Sequence, residues 1–310
     1  MLPFFLVWIL SLMEKRTFLF ILNPISGIRK NKKSVEDIIH KEFKQHSTID
    51  YQIQYTEFPG HASQLAKEAA RQNVNVVVAV GGDGTMNEVA SGLVGSNAAL
   101  GLIPQGSGNG YARSLKIPLI TLPALHTLQY GKIRTVDVGK INDYYFFGVA
   151  GVGFDAYIGA QFQEFGFRGP LPYFYIGVRE YFRYRYEGFT LKFNGQILDV
   201  HPLLITVANT IQYGMRATIA PMAKVDDGIL ELCILNKINV FKAALQLRRL
   251  FDGSIEKVRE YQHFSVNELE IIRENDKGIF HTDGEPRMGP KKLKINILPK
   301  KLKVLVPGDR

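Results

Sequence analysis

Residues 76–88 read Val-Val-Val-Ala-Val-Gly-Gly-Asp-Gly-Thr-Met-Asn-Glu, an apolar run that ends on two glycines and passes into helix formers. An apolar run without polar alternation suits a strand covered on both faces, as in a parallel sheet flanked by helices. Glycines let main-chain amides converge on an anion, and the N-terminus of a following helix adds unpaired amides and a favourable dipole. A plain tight turn would need the glycines but not Asp83, Thr85, Asn87 and Glu88 with them. The segment reads as a phosphate site at the end of a buried strand.

On either side the same grammar continues. The β-rich runs TFLFIL (17–22), YQIQYT (51–56) and AALGLIP (98–104) alternate with helical patterns. One of these opens on a capping-box-like Ser34-Val-Glu-Asp37 and carries Ile38, Ile39 and Phe43; another spans Ala62 to Arg71. Two more loops with turn residues follow neighbouring strands, Asn23-Pro-Ile-Ser-Gly27 and Gly106-Ser-Gly-Asn-Gly110. Ligands of open α/β sheets bind beyond such strand ends. Past about Gly139 the pattern changes to short β-runs with turn signals, among them LKFNGQILDV (191–200), where Asn194-Gly195 predicts a hairpin.

The expected fold class is α/β: an open α/β domain over 17–139 that carries the phosphate site, then a mainly antiparallel β-rich domain over 140–299. The strand-like LKINILP (293–299) and KLKVLVP (301–307) leave open whether the last strands near 300–310 return to the first domain. Residues 1–16 form an N-terminal extension. Leu2 to Met13 is almost wholly apolar and stops at Glu14-Lys-Arg16. A bilayer span needs about 20 residues, and a signal peptide needs positive charge first and small residues after. The expectation is that translation starts at Met13, with a membrane-contacting segment as the rival reading.

The 310 residues carry a net charge of +9, which favours anionic partners. A single cysteine, Cys233 in GILELCIL, excludes an internal disulfide and suits a reducing compartment. No Walker A lysine, HExxH or paired-cysteine zinc spacing occurs, and no recognised nucleic-acid module, so no nucleic-acid partner is expected. Gly151-Val-Gly-Phe-Asp-Ala156 fits GxGxxA, but no clear helix-forming segment follows it, and it reads as the connection into the β-rich domain. Arg168 to Tyr186 mixes aromatic residues and arginines, a composition suited to an anionic bilayer surface or to a helix with snorkelling arginines.

NPxSG at 23–27, TEFPGHA at 56–62, GGDGTMNE at 81–88, GSGN at 106–109, AKVDDG at 223–228 and DGE at 283–285 stand in one order along the chain. In that order they resemble the diacylglycerol kinase catalytic family, including bacterial lipid kinases and sphingosine kinase-like members. The resemblance implies an NAD kinase/diacylglycerol kinase-like nucleotide-binding domain over 17–139, a lipid-substrate domain over 140–299, ATP as phosphate donor and Mg2+ as cofactor. The implied nucleotide contacts are Asn23, Pro24, Ile25, Ser26, Gly27, Thr56, Gly82, Asp83, Gly84, Thr85, Met86, Asn87, Glu88 and Ser107. Asp83 would help hold the catalytic magnesium, and a structural magnesium would use Asp227 with main-chain oxygens near Lys224 and Ile229. Asp283 matches the proton acceptor. By the residues alone, Asp226-Asp-Gly228 and Asp283-Gly284 are also simply turns.

Where bacterial members often read GTxND, this chain reads GSGNG, with Gly110 in place of the acid. That variant looks more like sphingosine kinases and leaves the lipid open. The expected activity is transfer of the γ-phosphate to the hydroxyl of diacylglycerol or a related lipid alcohol such as a sphingoid base. An NAD kinase-like enzyme and a non-catalytic nucleotide- or lipid-binding regulator are the alternatives. The expected partners are the lipid and an anionic membrane surface, for a cytoplasmic, peripherally associated protein whose state as monomer or homodimer is open.

Overall fold

The computed structural model describes residues 15–25, 33–165, 177–214 and 217–308. The expectations for Met1 to Leu12, for Ser26 and Gly27, and for the first half of the Arg168 to Tyr186 segment fall outside these residues. The chain divides into two compact units, one made of residues up to 106 with 116–134 and those from 302 onward, the other of 107–115 and 135–301.

In the first unit, β1 (Arg16–Leu22), α1 (Lys33–Phe43), β2 (Ile49–Tyr55), α2 (His61–Arg71), β3 (Val76–Gly81), α3 (Asp83–Leu93) and β4 (Ala99–Pro104) alternate along the chain. The short α4 (Gly110–Ser114) lies in the other unit, and α5 (Thr121–Tyr130) returns to this one. These strands all pair in parallel, β2 with β1, β1 with β3 and β3 with β4. Every residue of β3 and β4 is buried, as their unbroken apolar runs predict.

Strand alternation decides which side chains meet which helices. Phe18, Phe20, Leu22, Val76, Val78 and Val80 share one core with Ile39 and Phe43 of α1 and Leu125 and Leu128 of α5. Phe43 sets its edge against the rings of Phe18 and Phe20, at 5.2 and 5.0 Å between centroids. Such pairs contribute about 0.5–1.5 kcal/mol beyond area burial. Because Leu22 lies opposite Tyr55 and Val80, and Val80 opposite Ile103, the strands end in register. The segments after them, 23–25, 56–60, 82–84 and 105–106, emerge at one sheet edge.

The second unit is antiparallel. It contains β5 (Lys132–Ile141), β6 (Tyr144–Phe146), β7 (Val149–Gly153), α6 (Phe154–Phe165), β8 (Phe189–Phe193), β9 (Gln196–Val200) and β10 (Pro202–Ala208). The short β11 (Gln212–Gly214) and β12 (Ala217–Thr218) follow, then β13 (Leu230–Asn236), α7 (Val240–Gln246), α8 (Arg248–Phe251), β14 (Tyr261–Val266), β15 (Glu268–Thr282) and β16 (Glu285–Val306). Its main sheet runs β14-β13-β10-β7-β15-β16. Asn194 and Gly195 both take positive φ, 47° and 74°, between β8 and β9. That is the backbone a two-residue hairpin of this hand demands.

One open question closes and one reading changes. The stretches 293–299 and 301–306 are parts of one continuous strand, β16, which carries Lys300 at φ 53°. Its residues 285–296 pair with β15, while Lys303 and Val304 pair in parallel with Ala99 and Leu100 of β4. A helix, α6, does begin within GVGFDA, at Phe154. Its aromatic residues and Gly159 hid it, because neither favours helix strongly. The dinucleotide reading still fails, since β7 lies antiparallel between β10 and β15 rather than opening a parallel crossover.

Candidate functional site

At the end of β3 the main chain turns through Gly81 and Gly82 into α3, whose N-cap residue, Gly82, has no side chain to cap it. A Cβ on Gly81 would come 2.5 Å from Thr85 Oγ1, and one on Gly82 would come 3.3 Å from Gly106 Cα. The two glycines thus allow a tight turn that a side chain would fill. Asn23 Nδ2 donates to Thr85 Oγ1 (3.1 Å), and Ile25 N donates to Asn23 Oδ1 (3.0 Å). The loop after β1 is tied in this way to the first turn of α3. Thr56 N donates to Leu22 O (2.9 Å), placing Thr56 beside the same strand end.

The residues of this motif divide by direction. Gly82, Asp83 and Gly84 are half-buried at the helix start, Pro24 and Ile25 are exposed, and Thr85, Met86 and Asn87 are buried. Glu88 serves the scaffold, since its carboxylate accepts from Gly60 N (2.9 Å) and Ala62 N (3.2 Å) at the N-terminus of α2. Gly60, the N-cap, has no side chain to do so, and orphan amides at a helix start require some acceptor. Ser107 is exposed and belongs to the second unit, with α4.

In the second unit Asp283 and Gly284 form the two-residue turn between β15 and β16, at φ 50° and 87°. The Asp283 side chain does more than serve the turn. Its carboxylate accepts from three consecutive main-chain amides, Phe147 N (2.9 Å), Gly148 N (2.7 Å) and Val149 N (3.0 Å). Its own N–H donates to Val149 O (2.7 Å). Successive amides pointing at one anion make a nest, and the nest fixes the orientation of the carboxylate. The sequence marks Asp283, but nothing in it marks residues 147–149 as its holder.

Two residues earlier, His281 is buried, with Nε2 3.1 Å from Asp155 Oδ2. Gly284 N donates to His281 Nδ1 (3.4 Å), which assigns the ring proton to Nε2, facing the carboxylate. Tyr213 Oη (2.9 Å) and Thr206 Oγ1 (3.2 Å) donate to the same Asp155 oxygen, and these two hydroxyls also touch each other. Burial, reinforced by Asp155, pushes the Tyr213 phenol well above its ordinary range, so it is a permanent donor. A Cβ on Gly151 would fall 2.8 Å from Asp155 Oδ2 and 2.9 Å from His281 Nε2. The glycine pattern of GVGFDA therefore makes room for a buried polar cluster, a reading the dinucleotide template concealed.

The 223–229 turn is held from below by Asp137, which the sequence motifs do not include. Asp137 is fully buried and accepts from Gly228 N (2.6 Å) and Lys300 N (2.7 Å). The signal for it was a lone acid at an inward position of the apolar Val136-Asp137-Val138. Asp227 is exposed, and its Oδ1 accepts from Ile229 N (3.1 Å). Among the described residues no group of three or more His, Cys, Asp or Glu side chains could hold a metal. A cation here would rest on the Asp227 carboxylate and main-chain carbonyls near Lys224 and Ile229. That all-oxygen set is one magnesium accepts when waters complete it.

The chain matches the family described as diacylglycerol kinase catalytic domain over residues 17–141, and the YegS C-terminal NAD kinase beta sandwich-like domain over 148–306. It is 32% identical over 232 residues to a protein of Bacillus subtilis named diacylglycerol kinase, a match covering 71% of this chain and 74% of that one. It is 30% identical over 268 residues to a Yersinia enterocolitica protein named "Probable lipid kinase YegS-like", covering 84% and 88%. A crystal structure of a diacylglycerol kinase from Bacillus anthracis superposes with a TM-score of 0.71 at 21% identity, over 94% of this chain and 97% of the other. That last likeness concerns the fold alone.

Proposed function

Because this chain belongs to the diacylglycerol kinase catalytic family, and so to the phosphotransferases with an alcohol acceptor, we propose that it transfers the γ-phosphate of ATP to a lipid hydroxyl. Diacylglycerol is the first acceptor on this reading, with a related alcohol such as a sphingoid base as the second. The observation that carries it is the turn through Gly82 to Gly84 at the N-terminus of α3, joined through Thr85 and Asn23 to the loop after β1. Main-chain amides and the helix dipole at such a start favour a polyphosphate.

Magnesium arriving with ATP supplies the charge that neutralises the transferred phosphate. Asp83, in the first turn of α3, is the carboxylate of this loop and the oxygen ligand a hard cation takes. Asp283 is assigned as proton acceptor for the lipid hydroxyl. Three amides hold its carboxylate in one fixed orientation, which is what a positioned proton acceptor requires. Contact with an anionic membrane, from which the lipid comes, belongs to the same reading, and the net charge of +9 supports it.

The test is incubation of the purified protein with Mg-ATP and a total lipid extract, followed by mass spectrometry for species heavier by one phosphate. Diacylglycerol or a sphingoid alcohol is expected to gain it while NAD does not. Conversion of NAD to NADP with inert lipids would overturn the reading.

A further inference from the structure

Residues 240–251 form two short helices, α7 and α8, linked through Leu247. Neither buries a residue fully. Ala243 and Leu250 lie against the apolar cluster that includes Ile238 and Ile255, together with Tyr181, Tyr184 and Tyr186. The opposite face carries Phe241, Ala244, Leu245 and Arg248, at the i, i+3, i+4, i+7 spacing of one helical stripe. Phe241 is 78% exposed, Leu245 82% and Phe251 54%. Tyr181 donates from its hydroxyl to Ile238 O just before α7, and the adjoining Phe182 is 71% exposed. An amphipathic stretch has been fixed with large apolar side chains turned to solvent, and such patches mark interaction surfaces.

The charge around this face is one-sided. Over 177–186 and 237–252 seven lysines and arginines stand against two carboxylates, Glu180 and Asp252, and one of the seven, Lys242, is paired with Glu260 just beyond these stretches. Glu180 is buried against Arg179 (2.6 Å) and Arg183 (3.6 Å), and Asp252 lies 3.6 Å from Arg248. The Arg248 and Arg183 side chains are 86% and 68% exposed, and Lys237 Nζ lies over the Tyr186 ring at 4.9 Å. A second copy docked on the same face would bring like charges together. A span is excluded by length, since crossing requires about 20 apolar residues.

We propose that the outward face of 240–251, with Phe182 beside it, seats this protein on an anionic lipid bilayer. Phe241, Leu245 and Phe251 enter the interfacial layer while the surrounding cations meet the headgroups. The proposal rests on the reading of the acceptor as a membrane lipid and adds the surface through which the protein reaches it.

The experiment is co-sedimentation of the full chain with vesicles of phosphatidylcholine alone and of phosphatidylcholine with phosphatidylglycerol. It is run for the parent, for Phe241→Ser/Leu245→Ser and, as a second variant, for Phe182→Ser/Phe251→Ser. The parent is expected to bind the anionic vesicles selectively and to weaken at high salt. Each double variant is expected to bind at least about tenfold more weakly, because losing the burial of even one large apolar side chain is worth that much. Their melting midpoints and their phosphorylation of a short-chain, monomerically dissolved diacylglycerol should stay at the parent level. Parent-like vesicle binding by both variants would overturn the proposal. So would a parent dimer that either variant converts to monomer, because the face would then belong to a second copy. Selective vesicle binding without any lipid phosphorylation would sink the proposed activity and leave the docking face standing.

Discussion

Asp283 carries two demands at once, because the carboxylate assigned to take a proton is also the acceptor for three main-chain amides. Asp283→Asn is therefore not a neutral replacement. The amide offers one acceptor oxygen, and its NH2 must face a donor. Leaving one such group unpaired costs about 1–3 kcal/mol. The variant is expected to melt lower than the parent, by calorimetry, and to lose on the order of 10² to 10⁴ in turnover, the usual weight of a general base. Its affinity for a non-hydrolysable ATP analogue should persist. Near-parent turnover would move the assignment of the base to another residue. Cys233 makes a second residue-scale case: burial pushes its thiol up to about 12, and Tyr261 donates to its sulfur (3.1 Å). It should resist thiol reagents at pH 8 until the protein unfolds; rapid labelling of the folded chain would contradict its placement. The sequence made Asp283 and Cys233 conspicuous. It held no sign of the amide nest, because main-chain donors carry no residue code.

Helix α2 depends at its start on a single side chain, because amides there are satisfied by Glu88 from α3. Glu88→Ala should lower stability by about 1–3 kcal/mol by leaving those donors unpaired, and Glu88→Gln, which keeps one acceptor, should lower it less. Denaturant titration separates the two, and equal midpoints for all three proteins would show that the cap is idle. The same pair of helices constrains Gly92, where a Cβ would stand 2.7 Å from both Ala66 Cβ and Ser63 O. Gly→Ala in a helix ordinarily gains about 1 kcal/mol, whereas overpacking costs about 1–3. Because one of the clashing atoms is main chain, Gly92→Ala is expected to destabilise. For the 223–229 turn the expectation is that Mg2+ raises the melting midpoint of the parent more than that of Asp227→Ala. Equal shifts would remove the metal from that turn. Helices α2 and α3 and the β8–β9 hairpin were legible from period and turn residues. Helix α6 was not, because its sequence combines aromatic residues with a glycine that propensity disfavours.

At the scale of the whole molecule, the α/β and antiparallel parts were legible because their periodicities differ. The route of the chain was not. Residues 107–115 leave the first unit and those from 302 onward rejoin it, which depends on long-range pairing such as Lys303 with Ala99. Of the candidate site, the segments that touch phosphate by resemblance stood out in order along the chain. The Asp155–His281 cluster and the Asp137 anchor did not, because each takes its meaning from partners far away in sequence. Phosphoryl transfer to a lipid is the step on which the other assignments depend, and one competition measures it. The protein is given ATP labelled in its γ-phosphate, Mg2+, anionic vesicles containing diacylglycerol and a sphingoid base, and NAD in the same tube, and the label is followed into each acceptor. Label is expected to accumulate in a lipid phosphate, and chelating the magnesium should stop it. Label in NADP alone, or in no acceptor while ATP still binds, would refute lipid phosphorylation by this protein.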